Sequence, residues 1–433
     1  MRERISPLLE QLRSSDTGKA AGLAGAMIIN NVIALGAAVI FARLLGNGYG
    51  SFAALISYLT ILTVAGQALQ VATARDGVLG HLGTGEELLA TLERWTRTWA
   101  AFTVVATVAS ILLRQPIADA VGVPHQAWAA AAGIPGGCLY LAVSILRGAL
   151  QGVGNYRTVG FSLIGEQTMR VIFGTILAEI GLGIAGAYVG GMIAYIAMSF
   201  YCALALYAQL AGPSYPRWRV RNAAAGAIGF GRHVWMSGVP IMALAIIQLL
   251  QNMDLIIARH QFSDHVASSY AVAAVAGKVL IWVAMGASFY LVPETSRRRS
   301  EHQDTRPVLL KSLGIVAVCA IPCMLIFAVA AHPLLAAVFG HNKAVASGSL
   351  LPLGAAFTVL AGTYLAVQYM LALKRVWFLL AIGAVAAIEP VLLLQAPKHP
   401  ASFATVVLLI QLLGAAVAYV LALSRRPMLA RVG

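Results

Sequence analysis

Long apolar runs, interrupted by short polar stretches, cover most of this 433-residue sequence. A helix of about 20 residues crosses the roughly 30 Å of hydrocarbon in a bilayer, and the runs are close to that length. On this measure the sequence predicts about twelve transmembrane helices, at roughly residues 20–42, 51–74, 98–113, 127–146, 159–180, 184–210, 233–257, 267–293, 309–331, 347–371, 376–395 and 401–423.

The polar interruption at residues 211–232 is rich in proline, glycine and arginine, and it separates six predicted helices from six. We therefore predict an all-α polytopic membrane protein with an N-terminal six-helix lobe at 20–210 and a C-terminal six-helix lobe at 233–423. Residues 1–19 are predicted to form a cytoplasmic interfacial segment, 211–232 a cytoplasmic inter-lobe linker, and 424–433 a cytoplasmic tail.

The two predicted lobes share a weak sequence similarity. Ala42-Arg43, a turn and then Gly50–Ala53 resemble Ala258-Arg259, a turn and then Ser268–Ala271, at an offset near 216–218 residues. Because each lobe has an even number of spans, both begin on the same side of the membrane. The similarity therefore predicts a parallel pseudo-two-fold repeat about an axis along the membrane normal.

A shorter amphipathic stretch precedes the third predicted span. Thr84-Gly-Glu-Glu87 has the pattern of a capping box at a helix N-terminus, and several apolar residues follow it. The spacing predicts a separate interfacial helix that carries Leu88, Leu89, Leu92 and Trp95.

Composition supports the membrane assignment, since 60% of the residues are hydrophobic and 11% charged, with a mean hydropathy of +0.81.

The net charge of +14 raises the question of nucleic-acid binding. However, 23 of the 30 lysines and arginines fall on one side of the predicted membrane, where they mark cytoplasmic loops and place both termini inside the cell. We therefore predict no nucleic-acid partner, and anionic membrane lipids as partners of basic loops such as Arg297–Arg299. The opposite side has Arg43, Arg114, Arg259, Lys343 and Lys398.

Enzyme motifs are not supported by their context. The literal G-x-G-x-x-G at Gly181–Gly186 joins two hydrophobic spans, so it predicts a tight turn between helices, not a nucleotide site. Gly186 and Gly190 form a G-x-x-x-G, which is typical of close helix packing. Neither the nine histidines nor the four cysteines have a ligand spacing. We therefore predict no catalytic residues, no metal and no cofactor, and the short outer loops argue against a glycan polymerase or ligase.

Ionisable residues inside predicted spans are the informative feature, because each costs from ~2.5 to more than ~10 kcal/mol at membrane depth. Counting helical rise places Arg170 and Lys278 near the midplane, and Asp254 and Glu389 nearer the outer surface. One interpretation is structural, with Glu166 neutralising Arg170, and Asp254 or Glu389 neutralising Lys278. The other is functional, with the two cations lining a cavity that attracts an anionic substrate.

In the functional interpretation, Arg170 and Lys278 contact a phosphate or an acidic sugar. Asp254, Glu166 and Glu389 are then candidates for ion coupling or gating, and Arg43 or Arg259 is the gating partner of Asp254. Each amide side chain in the spans can serve sugar hydroxyls or hold helices together. The candidate amides for substrate binding are Asn30, Asn31, Gln67, Gln248, Gln251 and Asn252.

Three stretches resemble the polysaccharide flippases of the multidrug/oligosaccharidyl-lipid/polysaccharide exporter superfamily. Ala42–Phe52 (ARLLGNGYGSF) resembles the ARxLGxxxYGxF-like stretch after their first span. Arg147–Tyr156 (RGALQGVGNY) is similar to their LxGxxQGxxx[FY] after the fourth span. Asn252–Asp254 with Ala258-Arg259 is similar to their seventh-helix aspartate and the following turn. Residues 259–265 lack the Leu-Gly usual at that turn.

The resemblance implies two six-helix lobes in a V, alternating access, and an undecaprenyl-pyrophosphate-linked oligosaccharide as cargo. It also implies the bacterial cytoplasmic membrane, and a glycan polymerase or glycosyltransferases of the same pathway as candidate partners. A cation-coupled multidrug exporter of the same superfamily is the alternative function, and a membrane glycan polymerase or ligase is a third.

Overall fold

The computed structural model describes residues 16–211 and 229–424, and in these residues all regular secondary structure is helical. The predicted all-α class is thereby confirmed. The α-helices of the described residues are α1 (Asp16–Leu44), α2 (Tyr49–Leu62), α3 (Val64–Val78), α4 (Glu86–Leu112), α5 (Arg114–Val121), α6 (Ala127–Gly152), α7 (Tyr156–Leu177), α8 (Gly183–Leu210), α9 (Phe230–Met236), α10 (Gly238–Gln261), α11 (Asp264–Ser300), α12 (Arg306–Phe339), α13 (Leu350–Ala372), α14 (Phe378–Leu394) and α15 (Pro400–Leu423).

Nine helical stretches in the described part of the chain are long and apolar enough to cross a membrane. The number is ten if α4 and α5, which meet at a 75° bend, form one span. The predicted number of twelve is not confirmed by this count. Two features account for the difference: the 55-residue stretch Tyr156–Leu210 counts once although it contains α7 and α8, and α14 is a shorter apolar helix.

The turn between α7 and α8 is the tight turn that the glycine spacing predicts. Gly181 has φ +105° and Gly183 φ +50°, a backbone region that favours residues without a Cβ. Beyond the turn the two helices touch at glycines, since a methyl group on Gly190 would overlap the backbone of Gly174. The predicted close packing at Gly186 and Gly190 is confirmed, because a methyl group on Gly186 would meet the carbonyl of Leu177.

The predicted interfacial helix before the third span does not exist as a separate element. Glu86–Leu112 is one continuous helix of 27 residues, and Leu88, Leu89, Leu92 and Trp95 are buried within the protein. They form a core cluster with Leu69, Val143 and Leu150 of neighbouring helices. The prediction was wrong because an amphipathic pattern shows that one face is apolar, and that face can be covered by protein as well as by lipid.

Residue contacts divide the chain into two compact units. Unit 1 comprises Met1–Ala245 and Ser263–Ser268, and unit 2 comprises Ile246–Phe262 and Ser269–Gly433. The predicted linker at 211–232, segment at 1–19 and tail at 424–433 lie largely outside the described residues.

Helix ends recur at a spacing close to the sequence offset of the predicted repeat. α1 ends at Leu44 and α10 at Gln261, 217 positions later. α8 ends at Leu210 and α15 at Leu423, 213 positions later. The helix boundaries thus support the duplication that the short motifs suggest.

Two arginines bind the C-terminal end of α15. Arg375 Nη1 donates to the carbonyls of Leu421 and Ala422 at 3.1 and 3.2 Å, and Arg306 Nη2 donates to Leu423 O at 3.2 Å. The last carbonyls of a helix have no partner within the helix, and its dipole favours a cation there. Both arginines therefore stabilise the end of α15 in addition to their part in the loop charge.

We expect Arg375→Gln to destabilise the protein by about 1 kcal/mol, because two carbonyls and the helix terminus lose their cationic donor. Thermal unfolding of purified protein in detergent measures the effect. Lys374→Gln is the matched control, since Lys374 is the adjacent basic residue and is exposed. Equal melting temperatures for the two variants would contradict the capping role.

Candidate functional site

Glu166 of α7, a buried carboxylate in unit 1, has its closest cationic partner on α6. Its Oε2 lies 2.8 Å from Arg147 Nη1. Arg147 is fully buried, and its Nε and Nη2 donate to Ser162 Oγ and Ser162 O, each at 2.8 Å. The charge of Arg147 is therefore matched by Glu166, and two of its nitrogens are hydrogen-bonded to Ser162.

Because the fourth predicted span ends at residue 146, the charge count included Arg147 as a cytoplasmic loop residue, and that loop assignment is wrong. α6 continues to Gly152, so Arg147 lies inside the helix and faces the interior of unit 1. The error arose because a polar and glycine-rich end of a helix has the same composition as a loop. The signal that could have found Arg147 is Glu166 itself, since an acid within a span needs a cation nearby.

Arg170 is the second arginine at this carboxylate. Its Nη2 lies 3.5 Å from Glu166 Oε1 and donates to Tyr195 Oη at 2.7 Å, and its guanidinium lies 5.4 Å from the centre of the Tyr195 ring. The side chain of Arg170 is 19% exposed, against 1% for Arg147. Arg170 Nε has no hydrogen-bond partner among the described residues. The arginine cluster, which we define as Arg147, Glu166, Arg170 and Tyr195, has two cations and one acid.

Tyr195 of the arginine cluster packs against a second tyrosine, Tyr140, and neither was predicted from the sequence. The rings of Tyr140 and Tyr195 meet edge to face, with centroids 5.2 Å apart. The tight turn could have revealed Tyr195. Arg170 lies 12 positions before Leu182 and Tyr195 13 positions after it, so an α7–α8 hairpin brings the two residues to the same level. The cluster therefore combines a guanidinium with aromatic and hydroxyl surfaces.

The lysine cluster is the second candidate site, and we define it as Asn252, Asp254, Tyr270 and Lys278, all in unit 2. Lys278 Nζ lies 3.7 Å from Asp254 Oδ1 and donates to Asn252 Oδ1 at 3.3 Å. Tyr270 Oη donates to Asp254 Oδ2 at 3.4 Å. The ammonium group also lies 5.3 Å from the centre of the Phe357 ring. In this structure Asp254 is thus neutralised by Lys278.

Lys278 and Asp254 form an ion pair, so their charged groups lie at one level although helical rise places their Cα atoms at different depths. The two depths in the membrane stay predictions. Helical rise gives the depth of each Cα, whereas a lysine side chain can carry its ammonium group along the helix to reach a partner. The geometry fits the structural interpretation for this pair. The assignment of Asp254 to gating with Arg43 or Arg259 stays a prediction.

Glu389 of α14 is a further acid in unit 2, and it is completely buried. Gln411 Nε2 lies 3.5 Å from its Oε1, and also donates to Leu250 O at 2.7 Å. Its Oε2 has no hydrogen-bond partner among the described residues. Glu389 also interacts electrostatically with Asp254 and Lys278. Around Lys278 there are therefore two acids and one base, the opposite balance to the arginine cluster.

The remaining predicted residues lie on the same helices with less distinctive surroundings. Asn252 Nδ2 donates to Gln248 Oε1 at 2.9 Å, so Gln248 contacts the lysine cluster through Asn252. Gln251 is buried, and its Oε1 has no hydrogen-bond partner in the part of the chain that is described. Half-buried or exposed positions are occupied by Asn30, Asn31, Gln67, Arg43 and Arg259.

Asn30 and Asn31 are adjacent residues of α1 whose side chains contact each other, with Asn30 Nδ2 donating to Asn31 Oδ1 at 3.4 Å. Their roles, like that of Gln67, stay predictions. Across the described residues, no group of three or more histidine, cysteine, aspartate or glutamate side chains is arranged to hold a metal ion.

No protein-family model matches the sequence, and the search of curated proteins found no similar sequence. Solved structures do match. A lipid II flippase, MurJ, in an inward-closed conformation superposes with a TM-score of 0.70 at 15% identity, over 92% of this chain and 86% of that chain. An inward-facing multidrug resistance MATE-family transporter of the MOP superfamily has a TM-score of 0.64 at 12% identity, over 91% and 93%.

The MATE transporter VcmN of Vibrio cholerae in its bent form has a TM-score of 0.59 at 16% identity, over 95% of this chain and 97% of that chain. At these identities the similarity shows the fold. The chain has the two-lobed helical fold shared by the flippase and the multidrug transporters. The resemblance that the sequence motifs indicate is confirmed at that level.

We expect Lys278→Met to destabilise the protein by about 3–5 kcal/mol, because Asp254 would be left as a buried charge without a cationic partner. Asp254→Asn combined with Lys278→Met should recover most of that loss, since neither charge then remains. Thermal or chemical unfolding in detergent measures both variants. If the double variant is less stable than Lys278→Met, the pair is not the source of the stability.

Proposed function

We propose that this protein is a transporter of the bacterial cytoplasmic membrane that moves a polyprenyl-pyrophosphate-linked oligosaccharide, or a related polysaccharide precursor, by alternating access. The shared fold supports a transporter, because both groups of structural neighbours are transporters by name. The fold alone does not distinguish their cargoes. The choice of an anionic cargo rests on the arginine cluster.

The observation that carries this choice is the uncompensated charge of Arg170. Glu166 makes its short contact with Arg147, at 2.8 Å, and its longer contact with Arg170, at 3.5 Å. One carboxylate cannot neutralise two guanidinium groups that are always charged. Arg170 is also the more exposed arginine, and its Nε is without a hydrogen-bond partner in the described part of the chain. An anion at the exposed part of this guanidinium would neutralise the remaining charge.

A pyrophosphate suits this position better than a simple halide. A guanidinium presents donors in a planar fork that matches two phosphate oxygens. Tyr140, which is half-buried and packs against Tyr195, offers part of an aromatic ring and a hydroxyl group, which fit the apolar and polar faces of a sugar. The cluster thus has a group for each part of a sugar pyrophosphate.

The lysine cluster supports the alternative function, a cation-coupled multidrug exporter. Glu389 adds a second buried acid near Asp254 and Lys278, and an excess of acid attracts a cation. The same excess is compatible with a flippase whose transport is driven by a proton or another cation. Asp254 and Glu389 are therefore our candidates for coupling, and Arg170 is the candidate for cargo.

Arg170→Ala should weaken binding of undecaprenyl pyrophosphate about tenfold or more, because a charge-assisted hydrogen bond contributes about 1.5–3 kcal/mol. Arg170→Lys should restore only part of the affinity, since a point charge lacks the planar fork. Native mass spectrometry of purified protein with the lipid measures binding, and lipid-linked oligosaccharide uptake by proteoliposomes measures transport.

Arg157→Ala is the matched control, because Arg157 is an exposed arginine on the same helix and stacks on Phe161. It should leave binding unchanged. Ethidium serves as a lipophilic cation in the same assays. Ethidium transport with no effect of the pyrophosphate lipid, or equal affinities for wild type and Arg170→Ala, would contradict the assignment and favour the exporter.

The bias of lysine and arginine between the two sides leads us to propose that both termini are cytoplasmic. Even when Arg147 is not counted as a loop residue, lysine and arginine remain in large excess on the predicted cytoplasmic side. Reporter fusions at Met1 and at Gly433 should therefore report the same, cytoplasmic side. Reporters on opposite sides would require an odd number of spans.

A further inference from the structure

A second group of polar residues in unit 1 surrounds a completely buried histidine, His233 of α9. Neither the arginine cluster nor the lysine cluster includes it. Its Nε2 lies 3.1 Å from Thr73 Oγ1, and its Nδ1 lies 3.3 Å from Asp76 Oδ2. Thr73 and Asp76 lie on adjacent turns of α3, and both are buried. Each ring nitrogen therefore faces an oxygen.

The aromatic face of the imidazole is covered as well. The ring of Trp95 on α4 stacks on His233, with centroids 4.7 Å apart and an interplanar angle of 29°. Phe230 packs on the same indole at 5.9 Å. Phe230 and Val234 also pack against the apolar core cluster of unit 1. His233 thus holds the short helix α9 in place at the point where it contacts both α3 and α4.

The surrounding charges can accommodate the imidazole with or without an extra proton. Asp76 Oδ1 accepts from Arg75 Nε and Nη2 at 3.2 and 3.1 Å, and His81 Nδ1 lies 3.7 Å from the same oxygen. A neutral imidazole can accept at Nε2 from the hydroxyl of Thr73, while Nδ1 faces Asp76 without a hydrogen bond among the described residues. An imidazolium forms an ion pair with Asp76, and it can donate from Nε2 because the hydroxyl of Thr73 can turn its lone pair toward that nitrogen. Protonation therefore keeps both oxygens within reach, but it places a second cation beside an Asp76 that Arg75 already engages.

We propose that His233, Asp76 and Thr73 form a proton-binding site, and that occupation of this site loosens the attachment of α9 to α3 and α4. The proton binds at the imidazole, and Asp76 is the counter-ion of the resulting cation. Arg75 competes for Asp76, so the carboxylate compensates the imidazolium only in part. The site does not depend on the proposed cargo.

The direction of the effect follows from burial. His233 lies before the candidate span Gly238–Gln261. Burial lowers the pKa of His233, although the negative charge of Asp76 opposes this change. An exposed histidine has a pKa of about 6.5, so a released α9 binds the proton more tightly than an attached one. The contribution of His233 to the stability of the attached α9 is therefore complete above about pH 6.5, and it declines as the pH falls below that value. Acid favours release of α9.

The stacking of Trp95 on His233 supplies a direct measurement, because an imidazolium quenches the fluorescence of a neighbouring indole more strongly than a neutral imidazole. The difference between the fluorescence of wild type and of Trp95→Phe isolates the Trp95 signal in purified protein. We expect this signal to titrate with a midpoint below pH 6.5, and the titration to be lost in His233→Gln. His125→Gln, at an exposed histidine of the same unit, should leave it unchanged.

A second variant tests the site where His233→Gln fails to fold. Asp76→Asn removes the counter-ion and keeps the shape of the side chain, so it should move the midpoint to still lower pH. The melting temperature of wild type should also fall on acidification from pH 7.5 to 5.5 by more than that of His233→Gln. A Trp95 signal that is flat over this range, or a titration that persists in His233→Gln or stays in place in Asp76→Asn, would overturn the proposal.

Discussion

A carboxylate that is removed from water inside an apolar helix bundle loses its hydration, and only a close cation with good hydrogen bonds offsets that loss. Glu166 is held in this way by Arg147, whose other nitrogens bind Ser162. The pair ties α6 to α7. It also decides the state of Arg170, because a carboxylate already engaged at 2.8 Å cannot fully neutralise a second guanidinium. Both the stability of this region and the proposed anion site depend on that one contact.

The two candidate clusters have opposite imbalances of charge when each is considered within its own unit. The arginine cluster has one cation too many, and the group around Lys278 has one acid too many if Glu389 is ionised. A structural ion pair needs no imbalance, and complete pairing is the less costly arrangement in an apolar interior. An excess is therefore more informative than the pairs themselves. It is the reason for proposing an anion at Arg170 and a proton or cation near Glu389.

Much of the helical architecture follows from the sequence, because hydrophobic length and glycine conformation are local properties. Gly181 and Gly183 indicated the turn between α7 and α8, and positive φ at both explains why. The pairing of charges was less accessible. Arg147 resembled a loop residue since periodicity does not show where a helix ends, and its partner lies on the next helix. Asp254 and Lys278 were assigned different depths because helical rise ignores the reach of a side chain.

Small residues set the geometry that makes Arg170 available. α7 and α8 approach closely because Gly174 and Gly190 have no side chains at their contact, and this approach brings Tyr195 Oη within 2.7 Å of Arg170 Nη2. Gly191 lies beside the same guanidinium, where an added Cβ would come within 3.3 Å of Arg170 Nε. The tyrosine therefore fixes one edge of the fork, and the missing side chain of Gly191 lets the other edge pack closely against α8. The proposed anion therefore meets a guanidinium whose position is already fixed by its neighbours, and this arrangement lowers the entropic cost of binding.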